Sequence, residues 1–354
     1  MNIGAICEKS IAGEQLTFEE LIYLLNTHGE EYETLRRYAR EVRKEYVGDV
    51  VHLRGLIEFS NICVCDCRYC GIRKSNRHVN RYCMSIEDIL SAAEFSWKKG
   101  YGSVVLQSGE RRDGEFIDFV CDAVKKIKHL SNNELGITLS CGVQTSDTYR
   151  KWHEAGADRY LLRIETTNRD IFKQLHIENN FDERIEALEN LKDCGYITGT
   201  GIMTGLPGQS VEMLAKDILY FKELDADMIG LGPYIPHEDA VLEEFGIDTP
   251  VRKRERLELT YKMIAVCRLV LKNVNIAAAT ALSALDAERG RLEGLNSGAN
   301  VIMPNAGDKE RRKDYYLYAN KPDTGEAFDM IVEDVKAANC ELELFTQGNP
   351  PRFK

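Results

Sequence analysis

Four cysteines fall within the stretch NICVCDCRYCGI, residues 61–72, at positions 63, 65, 67 and 70. Cys63, Cys67 and Cys70 are spaced C-x3-C-x2-C, with Cys65 between them. Three thiolates on one short loop can hold three corners of an iron–sulfur cubane, and soft sulfur ligands select such clusters or zinc. A structural zinc site takes a fourth protein ligand, and no further C-x2-C or H-x3-H pair follows downstream. Three ligands leave one iron open to a substrate or cofactor. A zinc site completed by Cys65 or a distant His, and incidental loop cysteines, are the bland alternatives.

A second group of residues is charged where an apolar pattern runs. In LLRIET, residues 161–166, Arg163 and Glu165 alternate with Leu162 and Ile164. In an extended strand that spacing turns both charges to one face. If the face is interior, the charges are expensive unless they pair or serve a ligand; a structural ion pair is the alternative. Ser108, Gly109 and Glu110 follow an apolar run and form either a simple strand-to-helix turn or a close backbone approach to a ligand, which Gly permits. Arg184, in FDERIEAL, reads in isolation as an ordinary helix-face residue, and GIMTGLPGQS as a strand and turn. His237, in PYIPHED, reads equally as a polar contact at a site mouth and as a solvated loop residue.

The cysteines and charges need a framework, and the pattern supplies one. Two segments at helical spacing, TFEELIYLLNT and EEYETLRRYAREVRKEYVG, open the chain and stop at Gly48. Then eight short apolar, β-branched runs alternate with longer periodic ones: VVHLRGLIEF, SVVLQS, ITLSC, RYLLRIET, TGTGIMTG, DMIGLGPYI, VNIAAATA and ANVIMP. Between the first two, Ser85 and Asp88 form a capping box and Gly100 a stop. Eight βα units favour an α/β fold of the (β/α)8 TIM-barrel type over an open doubly wound sheet, whose G-x-G-x-x-G fingerprint is missing after the first strand. The expected organisation is an N-terminal helical extension over 1–48, a barrel over 49–321 and a closing helix and short strand over 322–354 within the same domain. The functional residues should lie at the C-terminal ends of the strands, where the cysteine loop falls.

Composition narrows the function. Of 354 residues, 44% are hydrophobic and 29% charged, the profile of a globular chain with a sizeable core. A net charge of -11, without a long basic run, argues against a nucleic acid partner. No segment reads as a leader or membrane span, and eleven cysteines, mostly single within apolar patterns, fit reduced thiols in the cytoplasm.

The motif with an aromatic residue, Tyr69, just before its last cysteine resembles the radical S-adenosylmethionine (SAM) superfamily. Beyond the motif, VHLRGLIEFSNIC, RYCGIRKSN, VVLQSGE, EAGADRYLLRIETTN, GIMTGLPGQS, DMIGLGPYIPHEDA, GANVIMPN and YYLYANK are similar, in order, to the HydE family of FeFe-hydrogenase maturases, over most of residues 45–321. Biotin synthase and methylornithine synthase belong to the same group. The resemblance implies one [4Fe–4S] cluster on Cys63, Cys67 and Cys70, with SAM on the open iron, and makes Cys65 a bystander. It implies that Tyr69 packs beside the cluster and adenine, that the Ser108, Gly109 and Glu110 segment receives the methionine amino group, and that Arg184 grips the carboxylate. Glu165 and Met203, with Gly205 and Pro207, would line the SAM site. Arg163, Thr280, Met303, Tyr315 and Tyr318 would face a small-molecule substrate, with Arg163, Glu165 and the two tyrosines near the chemistry.

The sequence departs from the family pattern at Ile164, where a His is frequent, and at Ala279, where a Thr is frequent, which leaves the substrate open. The C-terminal cysteines that carry an accessory cluster in some relatives are reduced to Cys340, so one cluster is expected. An electron donor such as ferredoxin or flavodoxin, and other hydrogenase maturases, are the implied partners. A mutase or synthase acting on a free amino acid, and a non-catalytic iron–sulfur scaffold, are the competing functions.

Overall fold

The computed structural model of the chain describes residues 1–239, 242, 250–307, 313–318 and 328–353. Eight parallel strands close on themselves: β1 (Val50–Ser60), β2 (Ser103–Ser108), β3 (Gly136–Ser140), β4 (Arg159–Leu161), β5 (Ile197–Thr204), β6 (Met228–Pro233), β7 (Asn275–Ala278) and β8 (Val301–Ile302). Each pairs with the next, and β8 and β2 both pair with β1. The result is the (β/α)8 barrel expected from the alternation. Strands covered on both faces are near-continuous apolar runs, and all but the first residue of β1 and all of β5 are buried.

Helices return the chain on the outside. The first, α4 (Ile86–Lys98), starts where expected: the Ser85 hydroxyl accepts from the Asp88 amide at 3.1 Å. It ends at Gly100, whose φ of +80° only glycine adopts without strain. Ahead of the barrel lie α1 (Ile3–Ile11), α2 (Phe18–Leu25) and α3 (Gly29–Tyr46). The first of these is not foreseen in the sequence, because nine residues beginning beside Gly4 give little periodicity. The three pack against the long helix α10 (Pro250–Leu271): Ser10 Oγ donates to the Leu269 carbonyl at 2.8 Å.

After the helix Phe328–Ala337, β9 (Glu341–Glu343) pairs in parallel with Val50–His52 of β1, below the point where β2 begins. The remaining tail crosses the N-terminal end of the barrel. Three side chains from inside the strands donate to it: Arg54 Nη2 to the Gly348 carbonyl at 3.3 Å, Asn275 Nδ2 to the same oxygen at 2.7 Å, and Arg159 Nη2 to the Gln347 carbonyl at 2.6 Å. With that end stoppered, the site is left to the opposite end, where the loops after the strands gather.

Two strands stop earlier than the sequence suggests. The run RYLLRIET forms a regular ladder only to Leu161, and VNIAAATA only to Ala278, where Ala279 turns the chain into α11 (Thr280–Leu285). Both ends reshape the site.

Candidate active site

The cysteine loop leaves the end of β1 and is held by its neighbours through backbone contacts. The Val64 amide donates to the Glu110 carbonyl at 2.9 Å, and the Arg68 amide to the Leu175 carbonyl at 2.9 Å. The Gly71 amide donates to the Leu317 carbonyl at 3.0 Å. Cys63, Cys65, Cys67 and Cys70 all line one cavity of about 230 Å³ at the C-terminal end of the barrel. Burial pushes the Cys67 thiol well above its ordinary range and the Cys70 thiol to about 11, so in the free protein they hold their protons. Cys65 is raised first by its hydrogen bond with Cys63, then by burial, and it accepts from Asn179 Nδ2 at 3.4 Å.

Beyond β2, the amide of Glu110 points at Cys63 Sγ, 3.4 Å away. Gly109 is required there for packing: a Cβ would sit 2.4 Å from the Ile62 carbonyl oxygen and 2.8 Å from Cys63 Cβ. Ser108, Gly109 and Glu110 all line the cavity. The Glu110 carboxylate is buried and tied down, accepting from the Val143 amide at 2.9 Å and from Arg112 Nη2 at 2.7 Å.

Arg163 and Glu165 reach the same cavity by a route other than strand alternation. The Leu162 amide donates to the Gly199 carbonyl at 2.9 Å and the Glu165 amide to the Gly201 carbonyl at 3.0 Å, so one extra residue bulges from the fourth strand opposite β5. The Thr200 hydroxyl takes the Ile164 amide at 3.2 Å, and Glu165 has a φ of +68°, a left-handed backbone that a long side chain adopts only under constraint. The bulge aims Arg163 and Glu165 into the cavity and leaves Ile164 fully buried beside them. Arg163 Nη2 and Glu165 Oε2 lie 2.9 Å apart, close enough for their charges to neutralise. Their directions do not make a hydrogen bond, and both atoms are buried with that capacity unused among the described residues.

Arg184, on α8 (Phe181–Asp193), turns inward: it is buried, lines the cavity, and donates through Nη1 to the Arg163 carbonyl at 2.8 Å. Its Nε is buried without a partner among the described residues. Buried hydrogen-bonding capacity on Arg163, Arg184 and Glu165, where Arg163 and Glu165 are met only by each other's charge, suits a ligand carrying both an anionic and a cationic group. Tyr69, Met203, Tyr315 and Tyr318 also line it, and the segment 313–318 is tied down by the Gly71 amide on the Leu317 carbonyl, an approach only glycine allows, since a Cβ there would lie 2.0 Å from the Tyr316 carbonyl oxygen.

The other expected residues lie elsewhere. Thr280 opens α11 and is not among the cavity-lining residues, although its neighbour Ala281 is. Met303 lines a smaller cavity of about 30 Å³ deeper in the barrel, beside Arg54 and Asn275. His237 is buried behind the cysteine loop, its ring edge-on to Tyr316 with centroids 4.8 Å apart. Gly205 and Pro207 do not reach the cavity; Gly205 sits in a turn at φ +74°.

His176 is a further residue of the site that no sequence pattern marks. It ends α7 (Arg169–Leu175), is fully buried, and places Nδ1 3.2 Å from Cys67 Sγ, with its ring edge-on to Tyr69 at 5.5 Å. Burial and then the nearby Arg184 hold it well below the ordinary histidine range, hence neutral. A lone His in HIENN gives no signal without the fold.

Residues 57–221 match the model of the radical SAM superfamily. The [FeFe] hydrogenase maturase subunit HydE of Thermotoga maritima is 43% identical over 82% of this chain and 80% of its own. The chain belongs to the radical SAM superfamily. Within this superfamily, 3-methylornithine synthase of Methanosarcina acetivorans is 32% identical over 83% of this chain and 81% of its own. The crystal structure of methylornithine synthase superposes with a TM-score of 0.82 at 25% identity, covering 96% of this chain and 98% of that one. HydG from Carboxydothermus hydrogenoformans, at 21% identity and a TM-score of 0.81, shares the fold.

A radical SAM enzyme carries a [4Fe–4S] cluster and SAM, and this site suits both. Among the described residues no three His, Cys, Asp or Glu side chains are grouped for a single ion; a cubane sets each thiolate on a different iron, farther apart, as a C-x3-C-x2-C loop can. The Arg163, Arg184 and Glu165 side chains line the same cavity as the thiols.

Proposed function

We propose that this chain is a HydE-type enzyme of FeFe-hydrogenase maturation, working in the cytoplasm on a small sulfur-containing or iron-bound amino-acid-derived substrate. Cys63, Cys67 and Cys70 would hold its one cluster. When bound, the cluster supplies the electron that cleaves SAM to methionine and a 5′-deoxyadenosyl radical. Arg184 has the fork geometry to grip the methionine carboxylate, and the backbone at Ser108–Glu110, kept close by Gly109, would take the amino group. Glu165, held in its strained conformation, would turn its carboxylate from Arg163 to SAM, while Arg163 faces the substrate.

Tyr315 and Tyr318 would offer substrate hydrogen bonds from a wall that includes Leu161, Leu162, Met203 and Ile235 and keeps water from the reacting groups. The convergence of the cysteine loop, the two arginines and Glu165 on one cavity carries the reading. It disfavours a passive scaffold, which has no use for unused buried donors around its cluster. Eleven free cysteines accord with a reducing compartment. Other maturases are the expected partners.

Methylornithine formation is the second reading, supported by the match over 98% of that enzyme's structure. Maturation in a HydE-deficient extract separates them. Added holoprotein should restore hydrogenase activity and leave lysine unchanged; conversion of lysine to a rearranged isomer without restored hydrogenase would favour the second.

A further inference from the structure

On the reading above, the cluster would receive an electron from outside for each cleavage. The thiols that would hold it sit on a loop with an outer face of its own, and that face bears on where the electron enters. Two apolar side chains are exposed there, Val64 at 46% and Ile177 at 64%. They belong to one rigid surface: the Lys74 amide donates to the Cys65 carbonyl at 2.8 Å, the Arg68 amide to the Leu175 carbonyl, and Lys74 pairs with Glu178 at 3.6 Å. Cys67 and His176 join in a backbone bridge between the two segments.

Around the apolar pair, residues 64–78 and 173–179 expose three basic side chains, Lys74, Arg77 and Lys173, against one acidic one, Glu178, while Arg73 is largely buried against Asp66. The chain as a whole has a net charge of -11. A locally basic patch on an acidic protein, with exposed apolar residues on the two segments that carry the thiols and His176, has the character of a docking site whose rim steers an acidic partner and whose centre excludes water.

We propose that this face, centred on Val64 and Ile177, docks a small acidic one-electron carrier protein. The carrier loses one electron and is oxidised; the oxidised cluster gains it and is reduced; no proton or group moves. The proposal rests on the radical SAM reading of the site, and its test separates the two.

The experiment uses reconstituted holoenzyme in an anaerobic stopped flow, with cluster reduction followed by absorbance. The reductants are a purified acidic bacterial ferredoxin and photoreduced deazaflavin, a small uncharged reductant. The variants are Lys74→Glu/Arg77→Glu/Lys173→Glu and, separately, Ile177→Asp; all four side chains are exposed. With ferredoxin the charge-reversed variant should be reduced about tenfold or more slowly, and the wild-type rate should fall as salt rises. With deazaflavin every protein should be reduced at a similar rate, which also reports that the cluster is intact. Ferredoxin rates indifferent to charge reversal and to salt would overturn the docking site. Normal ferredoxin dependence without any SAM cleavage would instead overturn the enzymatic reading and leave the docking site standing.

Discussion

At the scale of single residues, the chemistry was visible where local spacing carried it. Cys63, Cys67 and Cys70 could be read directly because a loop motif needs no partner from elsewhere. Arg184 and His176 could not be read alone: one lies on a helix face and the other in an ordinary loop, and only the fold brings His176 to Cys67 across 109 residues. That contact has a consequence. Holding the proposed cluster, Cys67 would be a thiolate that can only accept, so Nδ1 of His176 would donate to it. Hydrogen bonds to cluster sulfurs favour the reduced, more negative state. His176→Leu should therefore move the cluster's midpoint potential to a more negative value in an EPR-monitored redox titration; an unchanged or more positive potential would contradict the contact.

At the scale of elements, the alternation of apolar runs revealed every strand of the barrel, because parallel strands buried on both faces have few polar residues to disguise them. Their ends were less legible. The LLRIET run pointed to Arg163 and Glu165, which do line the cavity, but through a regular alternation that the fold replaces by a bulge. Thr200 and the register of β5 decide that bulge, and neither is visible in the run itself. VNIAAATA likewise suggests continued strand through Thr280, whose place facing the substrate the resemblance alone implies, whereas Ala279 caps a helix that begins at Thr280.

The turn after Glu165 depends on α9 (Val211–Glu223), whose buried Asp217 accepts from the Thr167 amide at 2.7 Å and its hydroxyl at 2.5 Å. Burial pushes the Asp217 carboxyl up from 3.8 to about 7, outweighing the Thr167 hydrogen bonds that pull it down. Because the folded protein binds this proton more tightly than the unfolded chain, the contribution is fully present below 3.8 and lost as pH rises through about 7. Above that, the buried charge costs on the order of a few kcal/mol. Asp217→Asn keeps an acceptor for Thr167 and carries no charge. Its thermal unfolding midpoint, measured relative to wild type, should rise between about pH 5 and pH 8; a constant offset across that range would contradict the account.

At the scale of the whole molecule, the barrel is stoppered at one end by its own tail and open at the other, where the chemistry gathers. The sequence showed the tail only as a helix and short strand, because its task lies in backbone carbonyls, which no residue type announces. Buried Arg54 and Arg159 have no carboxylate partner among the hydrogen bonds and ion pairs of the described residues; they donate to the tail instead. Ending the chain at Leu344 should strip those guanidinium groups of their hydrogen-bond acceptors and cost about 3 kcal/mol or more. Thermal unfolding of the truncated protein should show a midpoint several degrees lower or no cooperative transition; an unaltered midpoint would mean the tail does not support the barrel.

The site's central claim is that the C-x3-C-x2-C loop and the buried Arg and Glu groups act together to cleave SAM. The most direct test is anaerobic reconstitution with iron and sulfide, reduction, addition of SAM, and quantification of 5′-deoxyadenosine. The Cys67→Ala and Cys65→Ser variants are assayed alongside. Wild type and Cys65→Ser should form deoxyadenosine and Cys67→Ala should form none; a fully loaded, reduced wild-type cluster that forms none would contradict the account.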